Sequence, residues 1–344
     1  MLCRYGVIAS ALFVAACAPT QQSESKYPTV GRIERWDPAL DEVIDSSAKI
    51  ERVADGFTWS EGPAWIAGGE YLLFTDVPEN TMYRWSEADG LSVFLKPSGY
   101  DGPPLAALRE PGANGLFAEP AGTLLLADSG TRIVARMDLS TKRKTPVAST
   151  VGEKRFNSPN DVIRRTDGTI FFTDPPYGLK DGNASPVKEL RHNGVYRVDT
   201  DGTVSLIDDQ LSFPNGIELS PDERTLYVAN SDPERPIWMA YSLNDKGEVV
   251  DKRVFADATD LMSADSPGLP DGLSISVGGH LFATGPGGVL VFSPKGKRLG
   301  RIVTGTAIAN CAFGNDGRTL YMTSHNFIAR VPVLTHGVGF PRYQ

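Results

Sequence analysis

Six short segments of the chain begin with the same kind of polar side chain. In each segment, a carboxylate or carboxamide residue precedes a short alternating stretch, a turn rich in Gly or Asp, and a second apolar stretch. The six leading residues are Glu61, Asn114, Asn160, Asn215, Asp271 and Asn310. Taken singly, Asn215-Gly216 indicates a hairpin turn, because Asn-Gly is the commonest hairpin turn pair. The recurrence indicates a shared role instead.

Oxygen ligands of this kind suit a hard cation. Two of the six side chains are anionic and four are neutral carboxamides. Burying these six side chains close together would cost free energy unless a partner compensated the charges. With oxygen ligands only, the set favours Ca²⁺, with Zn²⁺, Mg²⁺ and Mn²⁺ as further candidates. The alternative is local, since Asn and Asp can cap strand starts by accepting backbone N–H groups.

The spacing of the segments predicts the elements that carry these residues. The leading residues recur at intervals of roughly 40 to 55 residues, which is typical of the multi-stranded blades of a β-propeller. Period-two apolar patterns with β-branched and aromatic residues argue against helical repeats. We therefore expect an all-β protein, a six-bladed β-propeller over residues 31–344 with a central metal site. A strand within residues 49–57 would close the ring against the last blade.

Composition narrows the classes of function. The chain has 344 residues, 41% of them hydrophobic and 22% charged, as in a soluble globular protein. Its net charge of −8 should repel nucleic acid and anionic lipid, so we expect no nucleic-acid partner. No G-x-S-x-G segment indicates a serine hydrolase, and no glycine loop has nucleotide-binding spacing.

The first residues are typical of an export signal. Arg4, an apolar run and the sequence Val14-Ala15-Ala16-Cys17 predict a lipoprotein signal peptide over residues 1–16. Cys17 would be lipidated and residues 17–30 would form a flexible tether; a plain signal peptide cut elsewhere is the alternative. We expect a bacterial lipoprotein on the periplasmic face, at the outer rather than the inner membrane, with the lipid anchor as its only membrane contact.

Several motifs together resemble the gluconolactonase family, whose members are six-bladed propellers that include the regucalcin-type lactonases. The resemblance covers nearly everything from residue 30 onward and favours the bacterial branch. The segments that carry it are WSEGPAW (59–65), SPNDV (158–162), TDPPYGL (173–179), FPNGIELSPDERTLYVANS (213–231) and PDGLSI (270–275).

The resemblance implies roles for particular residues. The family's metal-binding pattern falls on Glu61, Asn160, Asn215 and Asp271, with Asn160 also implied in substrate contact. Asn114 and Asn310 hold the remaining ring positions. Asn114 is a further candidate for substrate contact, although a structural role is favoured for both residues, and a second cation is the alternative.

Three more residues are candidates for substrate contact. Asp174 and Tyr177 are expected near the channel mouth, with a Pro-rigidified loop as an equal alternative, and His325 follows the inner strands of the last blade. A structural, hydrogen-bonded role is favoured for His325. Animal lactonases carry an Arg two residues before the position of Asn160, whereas this chain has Ser158 there and Arg155 upstream.

The implied function is metal-dependent hydrolysis of a sugar lactone such as gluconolactone to the aldonic acid. The cation would polarise the lactone carbonyl, and Asp271 or a cation-bound water of lowered pKa would act as the base. One alternative is a phosphotriesterase or another ester hydrolase that uses the same metal site. The other is a non-catalytic binding propeller stabilised by Ca²⁺, because fold alone does not decide function.

Overall fold

A computed structural model describes residues 25–103 and 105–340. The predicted signal peptide, Cys17 and the first part of the predicted tether lie outside the described residues. Among the helices of the described ranges, none is long and apolar enough to cross a membrane.

The described residues form six antiparallel sheets arranged as the blades of a propeller, as predicted. In each blade, the first strand lies against the first strands of the neighbouring blades around a central channel, and the next strands follow outward. From the channel outward, the strands are Ser60–Ile66, Tyr71–Asp76, Thr81–Ser86 and Gly90–Leu95 in blade 1; Leu116–Glu119, Thr123–Asp128, Ile133–Asp138 and Lys144–Ala148 in blade 2; Val162–Arg164, Ile170–Asp174, Gly194–Val198 and Val204–Asp208 in blade 3; Pro214–Leu219, Thr225–Asp232, Arg235–Leu243 and Val249–Asp257 in blade 4; Leu273–Ile275, Leu281–Gly285, Gly288–Phe292, Arg298–Val303 and Arg32–Arg35 in blade 5; and Asn310–Gly314, Thr319–Ser324, Phe327–Pro332 and Glu51–Asp55 in blade 6.

The ring closes as the sequence predicts. The strand Glu51–Asp55 pairs antiparallel with Phe327–Pro332, so the outermost strand of blade 6 comes from the N-terminal part of the fold. Glu51 lies opposite Arg330 in this pairing, and the Arg330 Nε donates to Glu51 Oε2 at 2.8 Å. Because the first and last parts of the propeller share one sheet, neither leaves a free edge at the closure.

Two N-terminal features extend the fold beyond the sequence prediction. The strand Arg32–Arg35 adds a fifth strand to blade 5, and Glu34 Oε2 accepts hydrogen bonds from Arg301 at 2.8 and 3.0 Å. Residues 28–30 were expected in the flexible tether, and this part of the prediction is wrong. Thr29 bridges Glu51, and the Val30 N–H donates to the Ile50 oxygen at 2.9 Å, so the folded unit begins before residue 31.

Aromatic side chains fill the spaces between blades. Trp65 of blade 1 stacks on Tyr321 of blade 6 with ring centroids 5.6 Å apart, and Trp238 of blade 4 meets Phe292 of blade 5 edge to face at 5.3 Å. Such pairs stabilise by about 0.5–1.5 kcal/mol beyond the area they bury. The remaining regular elements are short. They are a two-stranded ladder, Thr150–Val151 with Lys154–Arg155, and 3₁₀ helices at Pro38–Glu42, Ala67–Gly69, Pro120–Gly122, Gly182–Ala184 and Thr259–Leu261.

Candidate functional site

The six leading residues of the repeated segments lie at equivalent positions around the channel, and we call them the channel ring. Each lies at or within two residues of the start of the innermost strand of its blade. Four of them are only 4% exposed, and these are Glu61, Asn114, Asn160 and Asn215. The repeat in the sequence therefore corresponds to a ring of oxygen-bearing side chains in the fold, as predicted.

The glycine that follows a ring residue allows neighbouring blades to approach. A β-carbon on Gly216 would lie 2.3 Å from the backbone oxygen of Asp271, and one on Gly272 would lie 1.9 Å from the Asn310 side chain. Asn215 and Gly216 both belong to the strand Pro214–Leu219, so this pair is not a hairpin turn. Gly is needed here because any side chain would collide with the next blade.

Threonines on the second strands fix the ring residues of the next blade. Thr75 Oγ1 donates to the backbone oxygen of Asn114 at 3.1 Å, and Thr173 Oγ1 donates to the backbone oxygen of Asn215 at 2.6 Å. Both threonines are fully buried. These bonds run from one blade to the ring residue of another, so they set the position of the ring backbone and not only that of a single strand.

The two acidic ring residues repel each other inside the channel. Burial, with a smaller contribution from the nearby Asp161 carboxylate, raises the pKa of Glu61 to about 8, although the Trp59 Nε1–H, which donates to Glu61 Oε1 at 3.2 Å, acts in the opposite direction. Burial also raises the pKa of Asp271 well above its ordinary value, and the charge of Glu61 is the next cause. Two carboxylates held in this way require either protons or a cation.

The donor set fits a divalent cation with oxygen ligands. Glu61 and Asp271 supply the charge, and Asn160 and Asn215 supply neutral oxygens from the same ring. In the part of the chain that the structure describes, no three His, Cys, Asp or Glu side chains are grouped as metal ligands. A site here would therefore depend on carboxamides as well as carboxylates, which favours a hard cation over Zn²⁺.

Two further acidic residues of the channel were missed in the sequence. Asp161 is 8% exposed, its Oδ2 accepts from the Ile217 N–H at 3.2 Å, and burial raises its pKa to about 7. Burial raises the pKa of Glu218 to about 8, and Asp161 contributes to that shift. In four of the six segments the residue directly after the ring residue is Gly, whereas after Asn160 it is Asp161. This difference is the feature of the sequence that could have identified Asp161 as a channel residue.

Asp174 is not at the channel mouth, which corrects its expected role in substrate contact. Its side chain is fully buried, and its two oxygens accept the N–H groups of Asn157 at 2.7 Å and Ser158 at 2.8 Å. In blade 1, Asp76 accepts the N–H groups of Thr58 and Trp59 in the same way. These carboxylates hold the segment that precedes the ring residue of their own blade.

Tyr177 lies near the channel ring, and its expected role in substrate contact stays a prediction. Its ring stacks on Phe213 with centroids 5.8 Å apart, and Phe213 lies two residues before the ring residue Asn215. Burial raises the pKa of the Tyr177 hydroxyl, and the charge of Asp271 adds to the shift. The phenol is therefore neutral and can donate or accept a hydrogen bond next to the candidate metal ligands.

His325 is separated from Glu61 by the side chain of Trp59. Its ring packs edge to face on Trp59 at 5.4 Å, and its backbone oxygen accepts from the Ser60 N–H at 2.8 Å. The ring itself is exposed. His325 thus packs against the Trp59 ring that donates to Glu61, and its role stays a prediction.

Neither Ser158 nor Arg155 presents a cation to the channel. Ser158 is fully buried; its Oγ donates to the Pro175 oxygen at 2.6 Å and accepts from the Gly178 N–H at 2.9 Å. Arg155 is exposed and donates to the Thr131 oxygen at 2.9 Å. The arginine of the animal lactonases therefore has no counterpart at these two positions.

The fold and the ring define a six-bladed propeller with a carboxylate and carboxamide channel site. The chain belongs to the SMP-30/Gluconolactonase/LRE-like family, whose pattern matches residues 59–326 and so includes blades 1 to 4, blade 5 apart from its outer strand Arg32–Arg35, and the two inner strands of blade 6.

Individual relatives agree with this assignment. A gluconolactonase from Zymomonas mobilis is 41% identical over 328 residues, covering 94% of this chain and 92% of that protein. A pentonolactonase from Haloferax volcanii is 25% identical over 286 residues, covering 82% of this chain and 84% of that protein. The solved structure of a gluconolactonase from Xanthomonas campestris is 30% identical with a TM-score of 0.75, covering 89% of this chain and 97% of that one.

Proposed function

We propose that this protein hydrolyses the ring ester of an aldonolactone of the gluconolactone type to the aldonic acid, with a divalent cation in the channel ring. Ca²⁺ is the favoured cation. The observation that carries the proposal is the placement of Glu61 and Asp271 within electrostatic range of each other, next to carboxamides at the channel. Membership of a family with lactone-hydrolysing relatives supports the choice of substrate.

Four residues would hold the cation, and one of them would also accept a proton. Glu61, Asn160, Asn215 and Asp271 would hold the cation, which supplies Lewis-acid polarisation of the lactone carbonyl when bound. The Asp271 carboxylate would then stay ionised near neutral pH, because a bound cation opposes the effect of burial on its pKa. Asp271 is then able to accept a proton from water.

Asp271 performs the central proton transfer. A water oxygen attacks the carbonyl carbon while the Asp271 carboxylate takes one of the water protons. The bond between the carbonyl carbon and the ring oxygen then breaks, and the proton passes to the departing oxygen. The product is an open-chain aldonic acid. Asn160, which is 4% exposed on the ring, would donate from its side-chain amide to a substrate oxygen.

The test is hydrolysis of D-glucono-1,5-lactone by the purified protein, corrected for the spontaneous rate. Activity is measured before chelation, after EDTA, and after separate addition of Ca²⁺, Mg²⁺, Mn²⁺ and Zn²⁺. We expect loss on chelation and best recovery with Ca²⁺. A protein that binds Ca²⁺ tightly but leaves the lactone unchanged would refute the proposal. Paraoxon in parallel tests the phosphotriesterase alternative.

We further propose that the protein works on the periplasmic face, anchored through lipidated Cys17. Support comes from the sequence alone, where the apolar run precedes Val14-Ala15-Ala16-Cys17. Metabolic labelling with radioactive palmitate should mark the wild-type chain and not Cys17→Ser. Equal labelling of both chains, or of neither, would contradict the anchor.

A further inference from the structure

Two loops are joined side by side at the channel mouth. The loop between blades 1 and 2 forms an antiparallel bridge to the blade 3 loop, with Leu108 opposite Leu179. The Arg109 N–H donates to the Gly178 oxygen at 2.9 Å, and the Lys180 N–H donates to the Ala107 oxygen at 2.8 Å. Leu179 is fully buried. The backbone at Arg109 is therefore held in place from both sides.

Arg109 and Glu110 form a charged pair on this joined segment. Arg109 Nη2 and Nε donate to Glu110 Oε1 at 2.6 and 3.1 Å. Both bonds use the same carboxylate oxygen. Among the residues that the structure describes, none bonds to Glu110 Oε2 or Arg109 Nη1. An acceptor oxygen and a guanidinium donor thus lie next to each other, each able to bind another molecule.

The pair faces the candidate active site. The Arg109 guanidinium carbon lies 6.0 Å from the centroid of the Tyr177 ring, and Tyr177 is close enough to Asp271 for that charge to raise the pKa of its hydroxyl. Glu110 is mostly buried, with a side-chain exposure of 17%. Its charge contributes to the raised pKa values of Glu61 and Asp271, so its carboxylate lies within electrostatic range of both candidate metal ligands.

We propose that Arg109 and Glu110 bind hydroxyl groups of a neutral, polyhydroxylated lactone and so select aldonolactones over lactones without hydroxyls. A hydroxyl both donates and accepts a hydrogen bond, and this pair offers one group of each kind. The Glu110 carboxylate beside Glu61 and Asp271 disfavours lactones with an anionic substituent. The inference rests on the proposed function, because it names the substrate class of that same site.

A comparison of two lactones tests the pair. D-Glucono-1,5-lactone carries ring hydroxyls, and δ-valerolactone has the same ring without them. Arg109→Met and Glu110→Gln should each lower kcat/KM for gluconolactone by about 10- to 100-fold, mainly through KM, since each removes hydrogen bonds to a charged group. The same variants should leave δ-valerolactone within about threefold, a change of less than 1 kcal/mol.

The matched controls carry the same two kinds of substitution, Arg to Met and Glu to Gln, at residues away from the channel mouth. Arg155→Met alters an exposed residue of the short ladder and Glu153→Gln an exposed residue of the turn that joins its strands, and both should leave the kinetics with both lactones unchanged. Equal losses on both lactones in the Arg109 and Glu110 variants would overturn the inference, because they would indicate damage to the reaction centre. Unchanged gluconolactone kinetics would also overturn it.

A binding experiment separates this inference from the proposed function. 1,5-Anhydro-D-glucitol has the hydroxylated ring but no carbonyl, and tetrahydropyran has neither hydroxyl nor carbonyl. Ligand-observed NMR with CaCl₂ present should detect anhydroglucitol on the wild type and the two controls, but not tetrahydropyran, and weaker binding on both mouth variants. If this pattern holds while no lactone is hydrolysed, the proposed function fails and the inference stands. Equal anhydroglucitol binding by the wild type and the mouth variants, or none by any, overturns the inference whatever the kinetics.

Discussion

Gly216 of blade 4 lies directly against the backbone of Asp271 in blade 5, so closely that a β-carbon on Gly216 would be 2.3 Å from the Asp271 oxygen. The next nearest atom, the α-carbon of Gly272, would be 2.6 Å away. Both neighbours are backbone atoms, so they cannot move away by a change of side-chain rotamer. The spacing between Asn215 and Asp271 therefore depends on the absence of a side chain at residue 216.

Gly216→Ala should consequently damage both the fold and the channel ring. We expect a loss of about 1–3 kcal/mol in the free energy of unfolding, from overpacking between blades, together with at least about tenfold weaker Ca²⁺ binding. Urea unfolding and calcium calorimetry measure the two effects. Gly68→Ala is the matched control, since a β-carbon at Gly68 meets no atom within 4 Å. A Gly216→Ala protein of wild-type stability and affinity would contradict this account of the ring.

Asp271→Asn keeps the shape of the side chain while removing its charge and its basicity. We expect kcat for gluconolactone to fall by at least about 100-fold, the usual contribution of a general base, with Ca²⁺ bound more weakly. Activity should be measured at saturating Ca²⁺ so that loss of metal does not account for the decrease. Asp251→Asn, on the exposed outer strand of blade 4, is the control. Full hydrolysis by a Ca²⁺-saturated Asp271→Asn protein would exclude Asp271 as the base.

The buried carboxylates predict how pH affects the chelated protein. The folded-state pKa values of Glu61, about 8, and Asp161, about 7, lie above those of an unfolded chain. The folded protein therefore binds more protons than the unfolded one between about pH 5 and about pH 8, and its stability falls as the pH rises through this range. We expect Tm in EDTA to drop by about 5 °C or more across it.

Calcium should remove most of that pH dependence. A bound cation favours the ionised carboxylates, so the rise in Tm on adding Ca²⁺ should be larger at about pH 8 than at about pH 5. Thermal unfolding in EDTA and in CaCl₂ at several pH values provides the comparison. Glu61→Gln should show a smaller pH effect in EDTA. An equal Ca²⁺ effect at both pH values would mean that these carboxylates do not meet the cation.

Asp174→Asn should affect stability and not substrate recognition. The amide keeps one acceptor but places an NH₂ group against one of the two backbone N–H groups that Asp174 binds, at Asn157 and Ser158. We expect a loss of about 1–3 kcal/mol in the free energy of unfolding, with KM for gluconolactone within about twofold of the wild type. Asp76→Asn, at the same position in blade 1, should behave alike. A large rise in KM for Asp174→Asn alone would return Asp174 to the channel mouth.

The sequence by itself determined the repeat and, through it, the ring. Six similar segments in a propeller must bring equivalent residues to equivalent places, so Glu61 and Asp271 could be placed together although 210 positions separate them. The closing strand before blade 1 followed from the same logic, since a blade without its outer strand would leave an open edge.

Only the tertiary structure decided what lies outside the repeat. The strand Arg32–Arg35 is too short and polar to show a period, and its partner in blade 5 is distant in the chain. Asp161 lies just before a strand of blade 3 and accepts a backbone N–H of blade 4, and Asp174 accepts backbone N–H groups of its own blade; spacing in the sequence predicts neither contact. Arg109 and Glu110 reached the mouth through a bridge between two irregular loops. A repeated sequence predicts the positions of residues that the propeller symmetry relates. Contacts between irregular segments depend instead on how the whole chain packs.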